Sequence, residues 1–271
     1  MAVNLHHRQS AQFLGNNIAK DRWGQQPHLL FNNMAIIPTL GDPTLDAIRR
    51  IYEQRPNDKR DYIGASSIGD PCARKLWYRF KGYHAKPFDS ATQFRFEDGH
   101  RTEELMIARL RMVEGVKIWN RQEDGNQIGF SLFDGKFKGH VDGIIKGLWQ
   151  SPKTPHVLEI KCTEDLNKFR KVKHEKGDKN ALKNWSETYF VQAQVYMQAF
   201  ELTRHYTVVA SAGGRDFDSC RTEYEAETAQ RYKDRAFEII KAEKEPQKIS
   251  DKPDFYLCRW CEFNEICHKN N

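Results

Sequence analysis

The strongest constraint on this chain is a pair of alternating runs separated by a turn-rich stretch. Gly139-His-Val-Asp-Gly-Ile-Ile145 comes first and Leu158-Glu-Ile-Lys161 second, with Gly147-Leu-Trp-Gln-Ser-Pro-Lys-Thr-Pro155 between them. Successive side chains on a strand face opposite ways. Glu159 and Lys161 therefore share one face, while Leu158, Ile160 and Cys162 share the other, toward a core. The intervening glycine, serine and prolines supply hairpin chemistry. The first run reads as part of a strand over 137–146 that carries Asp142 between Val141 and Gly143. Such a hairpin brings two carboxylates and one ammonium to one place. Oxygen donors of this kind suit a hard cation such as Mg²⁺ or Mn²⁺, with the Ile160 carbonyl as a candidate backbone ligand. A Glu-x-Lys alone is more often a solvated strand face than a site, and the preceding Gly-x-x-Asp-Gly run shifts that balance.

Two helical segments bear on the same spot. Phe94 to Leu110 is rich in helix formers, with apolar residues at 105, 106 and 110. Glu103 is a candidate third carboxylate from this helix, and Glu104 points about 100° away from it. Their competing reading is a pair of exposed helix glutamates. Downstream, Gln192 and Tyr196 stand four apart and share a helical face, with Val191, Val195 and Ala199 as a buried stripe. On that face they would hydrogen-bond a phosphate, a water or the lysine. Without context, a solvated polar face is the simpler reading.

The cysteines form a third constellation. Cys258-x2-Cys261-x5-Cys267 sits near the C-terminus, and Cys72 lies far upstream in Ser66-Ser-Ile-Gly-Asp-Pro-Cys72. Three close thiols and one remote thiol complete a four-cysteine set, a donor type that suits zinc or an iron–sulfur cluster. Disulfides compete poorly here, since cysteine is sparse and no signal peptide is apparent. Cys162 and Cys220 lie in strand-like runs and read as small buried hydrophobes.

Taken together, these residues resemble the PD-(D/E)XK nuclease superfamily in its RecB-like branch. Within it, the likeness is to the iron–sulfur exonucleases of CRISPR adaptation and their phage-encoded relatives. It spans about residues 60 to 270. The resemblance implies that Asp142 is the motif aspartate, although Val141 replaces the proline of the superfamily name. It implies that Glu159 and Lys161 are the E-x-K, and that Gln192 and Tyr196 are the Q-x3-Y. It gives Cys72, Cys258, Cys261 and Cys267 to a structural [4Fe–4S] cluster, with zinc as the alternative. Glu103 falls where many RecB-like members have histidine and phage exonucleases often have glutamate.

The fold so implied is α/β, a restriction-endonuclease-like core with a mixed central β-sheet flanked by helices, plus a C-terminal Cys-clustered metal lobe. Domain boundaries follow: an N-terminal extension over 1–45, the nuclease core over 46–250, and a cysteine cluster over 251–271 completed by Cys72. Residues 66–81 are expected to form a helix presenting Cys72. The implied activity is metal-dependent DNA exonuclease action in phage or prokaryotic recombination or DNA processing. Alternatives are a structure-specific or restriction-type endonuclease, or a non-catalytic nucleic-acid-binding assembly factor with a zinc site. DNA ends or single strands are the implied partners, with a recombinase or annealing protein beside them. The implied location is the cytoplasm, of a host cell if the gene is viral.

Composition adds one point. The net charge of +6 is modest over 271 residues, so it matters only where it clusters. Lys168, Arg170, Lys171, Lys173 and Lys176, with Lys179 and Lys183 beyond, follow directly on the Glu-x-Lys strand and read as a contact for a polyanionic backbone. No run approaches transmembrane length, and no Walker A or glycine-rich dinucleotide loop is present.

Overall fold

The computed structural model describes residues 41–56 and 60–269. The expected extension over 1–45 therefore lies almost wholly outside the described residues. The unit Thr44–Asn271 holds all that follows. It opens with α1 (Pro43–Glu53), β1 (Ile63–Gly64), α2 (Ala73–Phe80) and α3 (Ser90–Arg111). Next come β2 (Lys117–Trp119), β3 (Gly129–Leu132), β4 (Phe137–His140), β5 (Gly143–Lys146) and β6 (His156–Thr163). Helices α4 (Leu166–Lys176), α5 (Asp178–Trp185) and α6 (Glu187–Ala199) precede β7 (Arg204–Ser211) and β8 (Phe217–Glu223). Helix α7 (Ala226–Lys241) and the short α8 (Asn264–His268) complete the chain.

The strands form two sheets. One is mixed and five-stranded, in the order β2-β5-β6-β7-β8, and the other is three-stranded, in the order β1-β4-β3. The hairpin forms as the alternation requires: β5 runs antiparallel to β6 with Gly143 opposite Leu158. Strand β6 then pairs in parallel with β7, Glu159 opposite Thr207. Gly147, at φ +90°, closes this corner, where a Cβ would meet the Gly115 carbonyl.

Burial follows the period of two. Leu158 and Ile160 pack with Val208 and Ala210 against Met106 and Ile107 of α3. The opposite face of the sheet meets α4, α5 and α6 through Phe169, Leu182, Phe190 and Val209. Helix α6, capped by Ser186 accepting from the Tyr189 N–H at 3.4 Å, has every residue from Phe190 to Met197 buried. The expected Val191/Val195 stripe is thus only part of a helix enclosed all round, and Ala199 is only half-buried. Such enclosure marks a core helix rather than an amphipathic surface one.

Two further expectations are corrected. The strand over 137–146 is broken: β4 ends at His140, β5 begins at Gly143, and the two belong to different sheets. Asp142 therefore stands in a gap between strands rather than on one. The helix over 66–81 begins only at Ala73, because Pro71 and the turn before it interrupt helical hydrogen bonding, and Cys72 sits just ahead of its first turn.

Candidate active site

The break after β4 aims Asp142 across the hairpin. Its Oδ2 accepts from the Ile160 N–H at 2.6 Å, a bond that a residue inside a regular ladder would not be placed to make. Ile160, considered above as a backbone ligand, thus uses its N–H to hold Asp142 and its side chain to fill the core. One residue away on β6, Glu159 Oε1 accepts from Lys161 Nζ at 2.6 Å. Lys161 Nζ also donates to Gln192 Oε1 at 3.0 Å. The Gln192 amide then turns its NH₂ to Glu159 Oε1 at 3.0 Å and to the Tyr196 hydroxyl at 3.1 Å. Tyr196 donates its own O–H to the His140 carbonyl at 2.7 Å.

The Gln192–Tyr196 face is therefore not solvated. Gln192 is 3% exposed and Tyr196 2%, and their polar groups are consumed by the carboxylate, the lysine and the strand end. Gly139 makes this possible, since a Cβ there would lie 2.6 Å from the Tyr196 ring and 2.8 Å from Ala65. The glycine of the Gly-x-x-Asp run is thus a close-approach residue for the tyrosine of α6.

The electrostatics are those of crowded carboxylates. Burial, then the charges of Glu159 and Glu103, raise the Asp142 carboxyl well above the usual range. Burial and Glu159 likewise raise Glu103. Glu103 is half-buried on α3, while Glu104 is exposed beside it; the acid in electrostatic contact with the pair is Glu103. For Lys161, burial works against the charge, but Glu159 and Asp142 outweigh it and hold its ammonium above the ordinary lysine range. In this arrangement Lys161 carries its charge between two carboxylates.

Within this network, Glu159 Oε2 is buried and has no hydrogen-bond partner among the described residues. An orphaned carboxylate oxygen next to two acids raised by burial and by the charge of Glu159 fits a hard divalent cation held by Asp142, Glu159 and Glu103. Among the described residues, no three His, Cys, Asp or Glu side chains are already drawn together as metal ligands, the carboxylates and the cysteines included. The carboxylates instead open on a cleft of about 620 Å³.

The walls of that cleft carry cations that the sequence did not single out: Arg60, Arg111, Arg121 and Lys138. Arg111 donates to Asn120 Oδ1 at 2.7 Å and Arg121 to the Gly125 carbonyl at 2.9 Å. None of the four forms a salt bridge with a described residue. Lys138 had a local signal, since it shares a strand face with His140 two residues before Asp142; the arginines had none.

The segment expected to contact a polyanion behaves differently. Arg170 pairs with Asp216 at 2.6 Å and Lys173 with Asp218 at 2.8 Å. Lys179 pairs with Glu223 at 2.7 Å and Lys183 with Glu225 at 3.3 Å. Acids along β8 and flanking it pair with these four cations. Lys168, Lys171 and Lys176 remain exposed.

Far from the carboxylates in sequence, Cys72, Cys258, Cys261 and Cys267 line one small pocket with Tyr78 and Phe263. A tight turn closes the C-x2-C segment, the Cys261 N–H donating to the Cys258 carbonyl at 2.9 Å. Burial, then the neighbouring Cys72 and Cys267, push the Cys258 thiol up, and burial pushes Cys261 up to about 11. Thiols that are hard to ionise alone but gathered in one pocket fit a soft metal or cluster, which drives their deprotonation. Side chains outside the cysteines tether this C-terminal segment to α2. Glu262 pairs with Arg79 and with Lys75 at 3.8 Å, and Trp77 donates to the Ala242 carbonyl at 2.8 Å. Outside this group, Cys220 is buried, whereas Cys162 is half-buried and accepts from the Thr102 hydroxyl at 3.7 Å.

No protein-family profile matches the chain, and no curated protein does. Solved structures do. An alkaline exonuclease from Laribacter hongkongensis aligns over 72% of this chain and 90% of its own at 12% identity, with a TM-score of 0.47. The structure of that exonuclease in complex with dAMP aligns over 66% and 86% at 14% identity, with a TM-score of 0.46. A phage-related exonuclease from Haemophilus somnus 129PT aligns over 66% and 91% at 13% identity, with a TM-score of 0.45. At such values the likeness says nothing about chemistry. No described helix is long and apolar enough to cross a membrane.

Proposed function

We propose that this protein is a divalent-metal-dependent deoxyribonuclease that acts as an exonuclease. The observation that carries the reading is the set of buried Asp142 and Glu159 with half-buried Lys161, locked by Gln192 and opening with Glu103 on a cation-walled cleft. Asp142, Glu159 and Glu103 would hold the ion, which when bound supplies positive charge to the scissile phosphate and acidifies the attacking water. Lys161, kept protonated by its two carboxylate neighbours, stabilises negative charge that builds on the phosphate oxygens. Gln192 fixes the lysine and Glu159 together. Tyr196, bonded to the His140 carbonyl, pins the end of β4 from which Asp142 projects. Arg60, Arg111, Arg121 and Lys138 would meet the flanking phosphates without reading sequence.

In this reading residues 46–250 are the nuclease core and 1–45 an extension. The four cysteines hold a structural [4Fe–4S] cluster, with zinc as the alternative, clamping residues 251–271 onto the start of α2. A role in phage or prokaryotic recombination, beside an annealing protein or recombinase, extends the same proposal.

The test is a digest of end-labelled linear DNA and of a covalently closed circle, with Mg²⁺ or Mn²⁺ and with chelator. Release of label from the linear substrate alone, abolished by chelator and by Glu159→Gln, supports the exonuclease. Cutting of the circle makes it an endonuclease. DNA binding with no metal-dependent cleavage of either substrate sinks the enzyme reading.

A further inference from the structure

Lys161 has a third neighbour. Besides Glu159 and Gln192, its Nζ lies 4.5 Å from the centre of the Tyr189 ring. Tyr189 sits on α6 one turn before Gln192, where the Ser186 cap fixes its backbone. Its ring is packed against Trp185, with centroids 5.4 Å apart. Lys161 lines the cleft, whereas Tyr189 is not among the residues that do. The ring therefore backs the ammonium from the protein side.

We propose that Tyr189 is a positioning residue, whose aromatic face holds the Lys161 ammonium against the cleft. An ammonium has three N–H groups and rotates freely about its stem. Two are engaged by Glu159 Oε1 and Gln192 Oε1. Both of those acceptors line the cleft beside Lys161, and the ring is the neighbour of the ammonium that does not. A π-face attracts a cation without demanding one of its protons. The ring thus stabilises the ammonium's position while leaving its third N–H for the substrate. Leucine fills a similar space but has no quadrupole, and phenylalanine keeps it, so the two substitutions separate packing from cation attraction. The inference rests on Lys161 having the role given to it in the proposed function.

The test is steady-state cleavage of linear DNA by the full chain carrying Tyr189→Leu, Tyr189→Phe, Lys161→Ala or the Lys161→Ala/Tyr189→Leu pair. Tyr189→Leu lowers kcat about tenfold with KM within about twofold, and Tyr189→Phe restores kcat to within about twofold of wild type. In the Lys161→Ala background, Tyr189→Leu has no further effect, the non-additivity expected of residues acting as a unit. A readout independent of turnover is the NMR signal of the Lys161 ε-methylene, shifted by the ring current in wild type and Tyr189→Phe and relaxed to the ordinary lysine position in Tyr189→Leu. Full kcat and an unmoved signal in Tyr189→Leu overturn the proposal, as does an equal loss in the phenylalanine variant. If wild type cleaves no DNA, the nuclease reading has failed; if wild type and Lys161→Ala cleave alike, the role given to Lys161 has failed; in both cases the NMR signal still decides whether the ring holds the lysine.

Discussion

Replacing His205 by glutamine should make this protein markedly less sensitive to acid. His205 lies on β7, 1% exposed, with Nδ1 paired to the Thr207 hydroxyl at 3.1 Å and Nε2 without a partner. Thr207 is the cross-strand neighbour of Glu159, so the histidine belongs to the layer directly under the site. Burial, then the charge of Lys161, lower its pKa from 6.5 to about 3. A depressed histidine contributes stability that is present above the unfolded pKa and is lost as pH falls through 6.5 toward the folded value. At about 1.36 kcal/mol per pH unit the full loss is about 5 kcal/mol, of which about 2 kcal/mol is gone by pH 5. For a unit of this size that is a fall in Tm of about 4–8 °C between pH 7.5 and pH 5. Glutamine cannot ionise and keeps a hydrogen-bonding group for Thr207. The assay is thermal or urea unfolding of both proteins at the two pH values. Contributions from Asp142, Glu103 and the other histidines are common to both and cancel in the comparison. The variant should lose about 2 kcal/mol less than wild type over this interval. Equal acid losses in the two proteins would refute the reasoning, because His205 would then be protonating no differently in the folded and unfolded chains.

Glu159→Gln keeps an acceptor for Lys161 but removes the charge, and should lower cleavage at least about a hundredfold while the circular-dichroism spectrum stays unchanged. Lys138→Ala and Arg60→Ala should each weaken DNA binding and flatten its salt dependence by about one phosphate contact; Arg170→Ala, already paired to Asp216, should leave that slope unmoved in the same titration. Cys72→Ser should strip the bound iron or zinc measured by elemental analysis, whereas Cys220→Ser, in a separate core, should retain it; full metal content in Cys72→Ser would remove that cysteine from the ligand set.

The parts of this protein that the sequence determined by itself are those governed by short-range periodicity. The period of two put Glu159 and Lys161 on one face and Leu158 and Ile160 on the other, and the turn chemistry of 147–155 returned β6 antiparallel to β5. The helical period placed Gln192 one turn from Tyr196. Local spacing gathered Cys258, Cys261 and Cys267. Only the tertiary structure decided which environment each face met. Gln192 and Tyr196 are as polar as any solvated helix face, and packing of α6 against both sides of its surroundings made them the buried partners of Lys161 and His140. The step between two sheets, which no alternation pattern encodes, took Asp142 off its strand and onto the Ile160 N–H. Remote pairing spent the α4 and α5 cations on acids along β8 and flanking it and left Arg60, Arg111, Arg121 and Lys138 to face the cleft. Charge on one segment is visible in a sequence; its neutralisation by a segment some forty residues away depends on chain folding, because the attraction between opposite charges is a function of distance in space and not along the chain.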